Sequence, residues 1–375
     1  MKYFKINQKS ILSYLKNLNC DTTGIKILYN KSKINCIYLQ DIKTAAANIL
    51  KQDALSIGAD LAVPKGTILH TTKTVDAILI GTNKHLKILS KKELSQPFGL
   101  QQFAQELKKF LNNKQYKTKI MGVINSNDDS FYSGSRFIKE DAIKQIKQMI
   151  QDGADIIDIG AVSSRPGSKP VDKKEELNRI KDICDTIKKE KLYKKVDFSI
   201  DSYTPSVVKY ALKSGFAIVN DITGLQNNKI AKLVAKYNAT VVIMHMQGKP
   251  QTMQQNPTYE NVILEVSDFF EQRIAKAKKF GIKKIVLDVG IGFGKTLEHN
   301  ILLLQNLEHF KSFGYELLIG ASRKSMINMI VPTKVEERLP GTLAIHLQSI
   351  NNGASIIRCH DVKEHYQAIS INAII

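Results

Sequence analysis

The segment K-K-I-V-L-D-V-G-I-G-F-G-K, residues 283–295, joins a short apolar run to a glycine-rich turn. The β-branched and aliphatic residues at 285–287 predict a buried strand that ends at Asp288. Three glycines follow at alternate positions from Gly290 to Gly294, where the backbone can approach a ligand closely. A carboxylate at a strand end, followed by such a turn, predicts a ligand site in a parallel α/β protein.

This turn differs from two common phosphate-binding motifs. A Walker A loop that ends at Lys295 requires glycine at position 289, where the chain has Val289. A dinucleotide fingerprint that starts at Gly290 requires glycine at position 295, where the chain has Lys295. Alone, the segment would be an ordinary strand-to-helix loop. Whether it predicts a ligand site depends on the loops that follow the other strands.

Length and charge limit the possible architectures and ligands. A single α/β barrel takes roughly 250 residues, so a chain of 375 residues predicts two domains. The formal net charge is +20, and residues 1–115 contribute 18 Lys/Arg against 7 Asp/Glu. This balance favours anionic ligands, either nucleic acid or phosphorylated metabolites, although solvated helix faces in a lysine-rich chain would produce the same excess.

Cysteine spacing and hydropathy point to a reducing compartment. The four cysteines lie far apart and form no C-x-x-C pair, so neither a zinc site nor a disulfide framework is indicated. The first ten residues lack the apolar segment of a signal peptide, and no apolar run approaches the ~18 residues of a membrane span. We expect a cytoplasmic protein with no membrane partner.

Residues 1–115 predict a small basic α+β domain. Strands are expected at Ile25–Leu28, Asn35–Tyr38, Val75–Gly81 and His85–Leu89, and helices near Ile42–Gln52 and at Leu100–Leu111. No cluster of histidines, cysteines or carboxylates stands out here. The absence of a basic motif interleaved with aromatic residues argues against a nucleic-acid partner. The role of this domain is left unassigned.

Residues 116–375 alternate short apolar strands with amphipathic helices. The strands are expected at Ile120–Ile124, Ile156–Ile159, Val196–Ile200, Ala217–Val219, Thr240–Met244, Lys284–Leu287, Glu316–Ile319 and Ile356–Arg358. Eight such alternations predict an α/β fold of the (β/α)8 TIM barrel type, with a doubly wound sheet as the alternative. Polar residues follow every strand, on the face where barrel enzymes place their sites.

These strand-end residues sort by chemistry. Asp201, Asn220 and Asp288 suit a heterocycle with amino and ring N–H donors, such as a pterin or a purine. Arg358 and His360 alternate along the last strand, an arrangement suited to a phosphate group. Three further groups complete the prediction: Lys324 supplies a cation, Asn125 can bind phosphate or Mg²⁺, and Ser325 starts a helix whose free N–H favours a carboxylate.

Seven segments follow one another in the order found in a known family. They are M-G-V-I-N…D-S-F, D-I-G-A-V-S-S-R-P-G, S-I-D-S-Y, I-V-N-D, D-V-G-I-G-F-G-K, G-A-S-R-K-S and R-C-H-D-V. With them, residues from 119 to about 371 resemble dihydropteroate synthase, a folate-pathway enzyme and the target of sulfonamides. Residues 1–115 lie outside this resemblance.

The resemblance implies a (β/α)8 homodimer that joins a dihydropterin pyrophosphate to p-aminobenzoate with Mg²⁺. The implied pterin residues are Asp201, Asn220, Asp288 and Lys324, lined by Met244 and Gly320. The implied pyrophosphate and metal residues are Asn125, Arg358 and His360, with Asn125 as the metal ligand. The implied p-aminobenzoate residues are Ser164, Arg165, Pro166, Phe293, Lys324 and Ser325. Asp201, Lys324, Arg358 and His360 would be catalytic, in a dissociative substitution that needs no enzyme nucleophile.

Some positions depart from the family pattern. The first loop has N-S-N-D-D-S-F from Asn125, where the family usually has N-V-T-P-D-S-F, so its closing geometry is open. Ser164 replaces a threonine, and His245 is interpreted as structural or pocket-lining. Three alternatives therefore stand beside the synthase: a pterin-binding methyltransferase of the related barrel type, a basic RNA-binding protein on an inactive barrel, and a barrel that binds pterin without turnover.

Overall fold

The computed structural model describes residues 1–111, 114–125, 135–162, 171–248 and 250–375, without the side chains at 9, 125 and 135–139. This chain forms two compact units. The first comprises Met1–Asn113 with Ser312–Gly314, and the second comprises Lys114–Lys311 with Tyr315–Ile375. No helix in the described part of the chain is long and apolar enough to cross a membrane.

The first unit is a small α+β fold, as the sequence predicted. Its elements are α1 (Ile11–Asn17), α2 (Thr22–Ser32), β1 (Ile34–Lys43), α3 (Thr44–Leu55), β2 (Asp60–Ala62), β3 (Thr74–Thr82), α4 (Asn83–Lys92) and α5 (Leu100–Leu111). The three strands form an antiparallel sheet in the order β1-β3-β2. Single 3₁₀ turns lie at Gln8–Ser10, Thr67–Leu69 and Glu93–Ser95.

Two predicted strands of this unit are wrong, because local caps convert them to helices. Ile25–Leu28 lies inside α2, whose first turn is capped by the Asp21 carboxylate through the N–H groups of Thr23 and Gly24. His85–Leu89 lies inside α4, which Thr82 begins with a capping box. The helix predicted at Leu100–Leu111 is confirmed with the same bounds.

The sheet of the first unit has one covered and one open face. Alternate residues of β3, such as Ala77 and Leu79, are buried against helical residues that include Leu50 and Leu86. The residues between them point the other way and stay exposed. The large apolar members of that exposed face are Ile34 and Tyr38 on β1 and Ile78 and Ile80 on β3.

The second unit is a closed barrel of eight parallel strands, which confirms the predicted TIM barrel. Its strands are β4 (Lys119–Asn125), β5 (Ile156–Gly160), β6 (Asp197–Asp201), β7 (Ile218–Asp221), β8 (Thr240–Met244), β9 (Lys284–Asp288), β10 (Glu316–Ile319) and β11 (Ile356–Cys359). They close in the order β10-β11-β4-β5-β6-β7-β8-β9. Each of the eight strands predicted for this barrel overlaps the corresponding observed strand.

Helices follow the barrel strands and cover their outer faces. They are α6 (Ser135–Gln151), α7 (Lys173–Lys189), α8 (Pro205–Lys213), α9 (Asn228–Lys236), α10 (Val262–Lys279), α11 (Leu297–Gln305), α12 (Leu307–Phe310), α13 (Ser325–Ile330), α14 (Leu339–Asn351) and α15 (Val362–Asn372). Short 3₁₀ turns lie at Leu192–Lys194, Lys311–Phe313 and Val335–Glu337.

An apolar layer fills the barrel and leaves one end for polar groups. Residues from seven of the eight strands form this layer: Met121, Ile156, Ile218, Val242, Val286, Leu318 and Ile356. Strand pairing then places the polar strand ends side by side. Asp201 is in register with Asn220, and Asp288 with Met244. The carboxyl ends of these strands therefore meet at one end of the barrel.

Candidate active site

Three polar side chains form a buried cluster at the carboxyl end of the barrel. Asp158 lies in the middle of β5 and is fully buried, and Asn220 on β7 is 4% exposed. The Asn220 Nδ2 donates to Asp158 Oδ2 at 3.2 Å. Asp201 ends β6 between them, since it pairs in register with Gly160 on one side and Asn220 on the other.

Arg358 on β11 reaches across the barrel mouth and joins both carboxylates. Its Nε donates to Asp158 Oδ2 at 2.7 Å, and its Nη2 donates to Asp201 Oδ2 at 2.8 Å. Burial raises the pKa of Asp201 to about 7, against the lowering effect of the Arg358 charge. Burial alone would lower the pKa of Arg358, but the charges of Asp158 and Asp201 outweigh it and raise that pKa.

This cluster contains two buried acceptors that the protein leaves unsatisfied. Asp158 Oδ1 and Asn220 Oδ1 make no hydrogen bond within the described residues. An unsatisfied buried acceptor typically costs about 1–3 kcal/mol, so a pair of them at a barrel mouth points to a ligand. The ligand must supply N–H or O–H donors on one edge, as the amino and ring N–H groups of a pterin do.

The glycine-rich turn after β9 faces the same space. Asp288 is 7% exposed, and its Oδ1 accepts the N–H of Gly290 at 2.8 Å. Burial raises the pKa of the Asp288 carboxyl, and the Lys324 charge opposes that shift. Gly290 has a φ of +70°, and a Cβ there would lie 1.9 Å from the backbone oxygen of His245. Only glycine fits this close approach.

Lys324 covers the turn from the ligand side. Its Nζ donates to the backbone oxygen of Ile291 and lies 4.6 Å from the centre of the Phe293 ring. Burial lowers the pKa of Lys324 to about 8, and the Asp288 charge opposes that shift. Lys324 is also the N-cap residue of α13, which begins at Ser325 as the sequence predicted.

A second lysine holds the turn from within the protein. Lys295 is 3% exposed, and its Nζ donates to the backbone oxygens of Gly290 and Phe293, each at 3.0 Å. It also lies 3.0 Å from His245 Nδ1. Burial lowers the pKa of Lys295 to about 7, and burial followed by the Lys295 charge lowers the pKa of His245 to about 2. His245 is therefore neutral and accepts at Nδ1.

The loops after β10 and β11 are bonded to each other. His360 Nδ1 lies 2.9 Å from Ser322 Oγ, which also accepts the His360 backbone N–H at 3.3 Å. Arg323 and Asp361 form a two-point ion pair, Nε to Oδ2 at 3.1 Å and Nη2 to Oδ1 at 2.7 Å. Two side chains from each loop are thus fixed. Lys324 directly follows Arg323, and Arg358 lies two positions before His360.

A buried pair of histidines adds a further link between these loops. The Ala321 N–H donates to His346 Nε2 at 3.0 Å, and His346 Nδ1 lies 2.8 Å from His365 Nε2. His365 Nδ1 lies 2.6 Å from the Asp361 backbone oxygen. Because an amide can only donate and a carbonyl can only accept, both neutral imidazoles must carry their proton on Nδ1. Burial lowers the pKa of both histidines, which favours this neutral state.

The structure brings together most of the residues that the sequence singled out. Met244 ends β8 and is buried. Gly320 follows β10, and a Cβ added there would lie 3.6 Å from Arg358 Cβ. The side chain of Asn125 and all of Ser164, Arg165 and Pro166 lie outside the described residues, as does the first loop at 126–128.

Sequence reasoning missed two residues of the site, Asp158 and Lys295. Asp158 stands inside the D-I-G segment, and strand alternation would have placed it on the barrel interior with its neighbours at the strand ends. Lys295 gave no signal, because its three acceptors come together only through the folding of the turn. His245, interpreted as structural or pocket-lining, is one of those acceptors and is 6% exposed.

Comparison with known proteins identifies the family. The family model described as pterin binding enzyme matches residues 121–360. The bifunctional dihydropteroate synthase/dihydropteroate reductase of Helicobacter pylori is 39% identical over 368 residues, which are 98% of this chain and 97% of the relative. This chain belongs to the dihydropteroate synthase family.

Solved structures of the family have the same barrel. The Clostridium difficile dihydropteroate synthase, solved with pteroic acid, is 39% identical with a TM-score of 0.65, over 70% of this chain and 98% of that one. The Yersinia pestis synthase, solved with a sulfonamide drug, is 34% identical with a TM-score of 0.65, over 69% and 94%. Membership in the dihydropteroate synthase family favours the synthase over the methyltransferase and RNA-binding alternatives.

Proposed function

We propose that this chain condenses 6-hydroxymethyl-7,8-dihydropterin pyrophosphate with p-aminobenzoate to give 7,8-dihydropteroate and pyrophosphate. The unsatisfied acceptors of Asp158 and Asn220, beside Arg358, carry this proposal. They would receive the donor edge of the pterin, and Asp288 would accept from the same edge. The exocyclic methylene of the pterin would then lie toward Asp201 and Arg358.

The reaction is a substitution at that methylene carbon. The carbon–oxygen bond to pyrophosphate breaks first, and the leaving group departs with the electron pair. The electron-rich pterin ring and the Asp201 carboxylate stabilise the positive charge on the carbon. The neutral aniline nitrogen of p-aminobenzoate then forms the new carbon–nitrogen bond and releases one proton to water. No side chain of the protein acts as a nucleophile.

Arg358 has guanidinium N–H groups left for the leaving group. Its Nε donates to Asp158 and its Nη2 to Asp201, and the side chain is 22% exposed. Within the described part of the chain, Nη1 therefore has both its N–H groups left to donate to pyrophosphate, and Nη2 has one more. His360, two positions along the chain and fixed by Ser322, supplies a second donor. Two donors near the leaving oxygen would stabilise its developing charge.

The p-aminobenzoate ring fits beside Phe293 and Lys324. The Lys324 ammonium lies over the Phe293 ring, so the two form a wall with a cationic top and an apolar face. Ser325 begins α13 directly after Lys324 and can hold the substrate carboxylate at its N–H. Ser164, Arg165 and Pro166 complete this subsite in our proposal.

The residues present fit a magnesium ion that arrives with its substrate. Among the described residues, no group of three His, Cys, Asp or Glu side chains could hold a metal. Mg²⁺ takes oxygen ligands and keeps several waters, so one amide oxygen with the oxygens of pyrophosphate is a suitable set. Asn125, at the end of β4, is the residue that we propose as the protein ligand. When bound, the ion would neutralise charge on the leaving pyrophosphate.

The first test is pyrophosphate release by the purified protein. Dihydropterin pyrophosphate and Mg²⁺ are supplied with and without p-aminobenzoate, and dihydropteroate is measured in parallel. Release that depends on p-aminobenzoate supports the synthase. Binding of the pterin without release would instead support a barrel without turnover, with the altered first loop as its cause. Absence of both binding and release would overturn the proposal.

A second activity, reduction of dihydropteroate, is proposed because one relative matches almost the whole chain. The Helicobacter pylori relative is named a dihydropteroate reductase as well as a synthase, and its match includes almost all of residues 1–115. Reduction of 7,8-dihydropteroate adds a hydride to C6 and a proton to N5, so it requires a hydride donor of the nicotinamide or reduced-flavin class. Tetrahydropteroate formed from dihydropteroate with NADPH, NADH or reduced flavin would support this activity. No product with any of the three donors would exclude it.

The assembly and the compartment are further proposals. The family resemblance implies a homodimer, and the cysteine spacing fits a reducing cytoplasm. Light scattering coupled to size-exclusion chromatography measures the first directly. A mass near twice 42.1 kDa would support the dimer, and a mass near the chain value would exclude it.

A further inference from the structure

Lys295 is a buried lysine that the mechanism does not use. It follows the last glycine of the turn, and its side chain turns back under the loop that precedes it. Its Nζ lies 3.0 Å from three acceptors: the oxygens of Gly290 and Phe293, and His245 Nδ1. An ammonium has three N–H donors, so this arrangement uses all of them.

The shape of the turn explains why a cation is needed beneath it. Gly290, Gly292 and Gly294 all have positive φ values, which fold the turn back on itself. The backbone oxygens of Gly290 and Phe293 consequently point inward, away from solvent. A buried carbonyl without a donor is costly. The Gly290 oxygen also accepts the Phe293 N–H at 3.1 Å, whereas Lys295 is the donor that the described residues supply to the Phe293 oxygen.

The partner of Lys295 on the third side is suited to its role. His245 is neutral, and its ring is held edge-on against Phe269 with the centroids 4.9 Å apart. A neutral imidazole accepts at Nδ1 without adding a positive charge beside the ammonium. The charges of Asp288 and Lys324 also act on Lys295, the first favouring and the second opposing its protonated form.

The turn thus lies between two lysines with different freedom. Lys295 binds it from the buried side through the oxygens of Gly290 and Phe293, and links it to His245 after β8. Lys324 binds it from the ligand side through the single oxygen of Ile291. If Lys324 turns toward a bound substrate, the Ile291 contact is lost. Gly292 remains bonded to Gln254 and Asn300, and Gly294 to Tyr259. Lys295 remains the donor to the Phe293 oxygen. Phe293 lies between these two glycines, and Lys295 fixes the orientation of its carbonyl group within this frame.

We propose that Lys295 is a positioning residue for p-aminobenzoate, which holds the Phe293 segment of the turn in place while Lys324 engages the substrates. This inference rests on the proposed synthase reaction and assigns different roles in it to Lys295 and Lys324. Asp288 does not depend on Lys295 in the same way, because β9 pairs with both β8 and β10 up to that residue. Lys295 should therefore affect p-aminobenzoate far more than the pterin.

The test compares the two Michaelis constants in Lys295→Met. Methionine retains much of the apolar stem and removes the ammonium. We expect the KM for p-aminobenzoate to rise at least tenfold and the KM for the pterin pyrophosphate to change less than threefold. Lys284→Met serves as the matched control, since it alters an exposed lysine at the start of β9, the strand that precedes the turn. It should leave both Michaelis constants within twofold. Equal changes in both constants, or a lower melting temperature with both constants unchanged, would overturn the proposal.

A double-mutant cycle tests whether Lys295 acts through Phe293. In a Phe293→Leu background, Lys295→Met should raise the KM for p-aminobenzoate less than twofold further, because the positioned ring is already absent. Fully additive effects would contradict the proposal. If Lys295→Met does not fold, Lys295→Gln replaces it, since the amide has no charge and supplies two N–H donors in place of three. A rise in the KM for p-aminobenzoate then supports the inference, and an unchanged constant overturns it. Turnover by the unmodified chain, measured first, separates these results from a failure of the synthase proposal.

Discussion

Arg358 Nη2 and Asp201 Oδ2 lie 2.8 Å apart, although 157 positions separate the two residues in the chain. The same guanidinium also binds Asp158, so one cation is shared by two buried carboxylates. Asp201 consequently has an environment in which burial raises its pKa and the arginine limits the rise. A group balanced in this way can change its charge near neutral pH.

We expect the synthase rate to fall in acid because Asp201 becomes protonated. Its pKa is raised to about 7, so the carboxylate that stabilises the pterin methylene is lost as the pH falls below that value. The kcat/KM for the pterin pyrophosphate should then fall about tenfold per pH unit. Asp201→Asn should be slower by at least 100-fold, in line with the loss of a transition-state contact, and should lack this acid limb. An unchanged acid limb in the variant would assign the titration to another group.

Asp288→Asn should weaken pterin binding about 10- to 100-fold, because a charged acceptor is replaced by a neutral group. Asp221→Asn is the matched control. Asp221 is buried at the end of β7, two strands away from β9, but its carboxylate caps its own loop through the N–H groups of Thr223 and Leu225 at 2.8 and 3.1 Å. We expect the control to lower the melting temperature while its affinity for a fluorescent pterin stays within threefold. Equal losses of affinity in both variants would contradict the assignment of Asp288.

Gly290→Ala should be far more damaging than Gly281→Ala. Both glycines have positive φ, +70° and +77°, so both variants incur the backbone strain of about 1–2 kcal/mol. Only at Gly290 would the new Cβ collide with backbone, 1.9 Å from the His245 oxygen, whereas no heavy atom lies within 4 Å at Gly281. Urea unfolding and turnover should show a near-wild-type Gly281→Ala and an inactive or unfolded Gly290→Ala. Similar stability of the two would mean that the turn relaxes easily.

Glu93→Gln should stabilise the first unit at alkaline pH. Glu93 is fully buried and both its oxygens lack a hydrogen-bond partner within the described residues. Burial, followed by the charge of Asp53, raises its pKa to about 7. The folded protein therefore binds this proton more tightly than the unfolded chain, and stability falls as the pH rises from about 4.5 to 7.

The measurement for Glu93 is the difference in melting temperature between wild type and variant at pH 5 and pH 8. Glutamine removes the charge, so the variant should gain a few degrees at pH 8 and little at pH 5. Glu106→Gln alters an exposed glutamate of the same unit and serves as the control. A gain that is equal at both pH values would show that Glu93 is not ionised in the folded protein at pH 8.

The barrel could be predicted because its signals are repeated along the chain. Each strand is a short apolar run such as Thr240–Met244, and the helix after it has apolar residues at helical spacing. An error in one element therefore does not change the number of strand–helix alternations by enough to alter the predicted fold. The first unit lacks this repetition. Ile25–Leu28 is apolar enough for a strand, and only the Asp21 cap decides that it is helical. A run of four residues does not contain that information.

The strand-end residues of the site were predictable for the same reason, because a parallel barrel places every strand end together. Asp201, Asn220 and Asp288 needed no distance to be grouped. Asp158 did, because its partners Asn220 and Arg358 are 62 and 200 positions away in sequence. Lys295 did as well, because its side chain folds back onto the turn and also contacts His245, 50 positions away. Such partners emerge only once the strands are in register and the glycine turn has closed.

The directed chain from the Ala321 N–H through His346 and His365 to the Asp361 oxygen makes the motion of the loops after β10 and β11 measurable. The Ala321 amide can exchange its hydrogen for deuterium only when its bond to His346 breaks. Separating the two loops requires the same bond, or the next one along, to open. Exchange at this one position therefore counts those separations of the two loops that begin at the first bond of the chain.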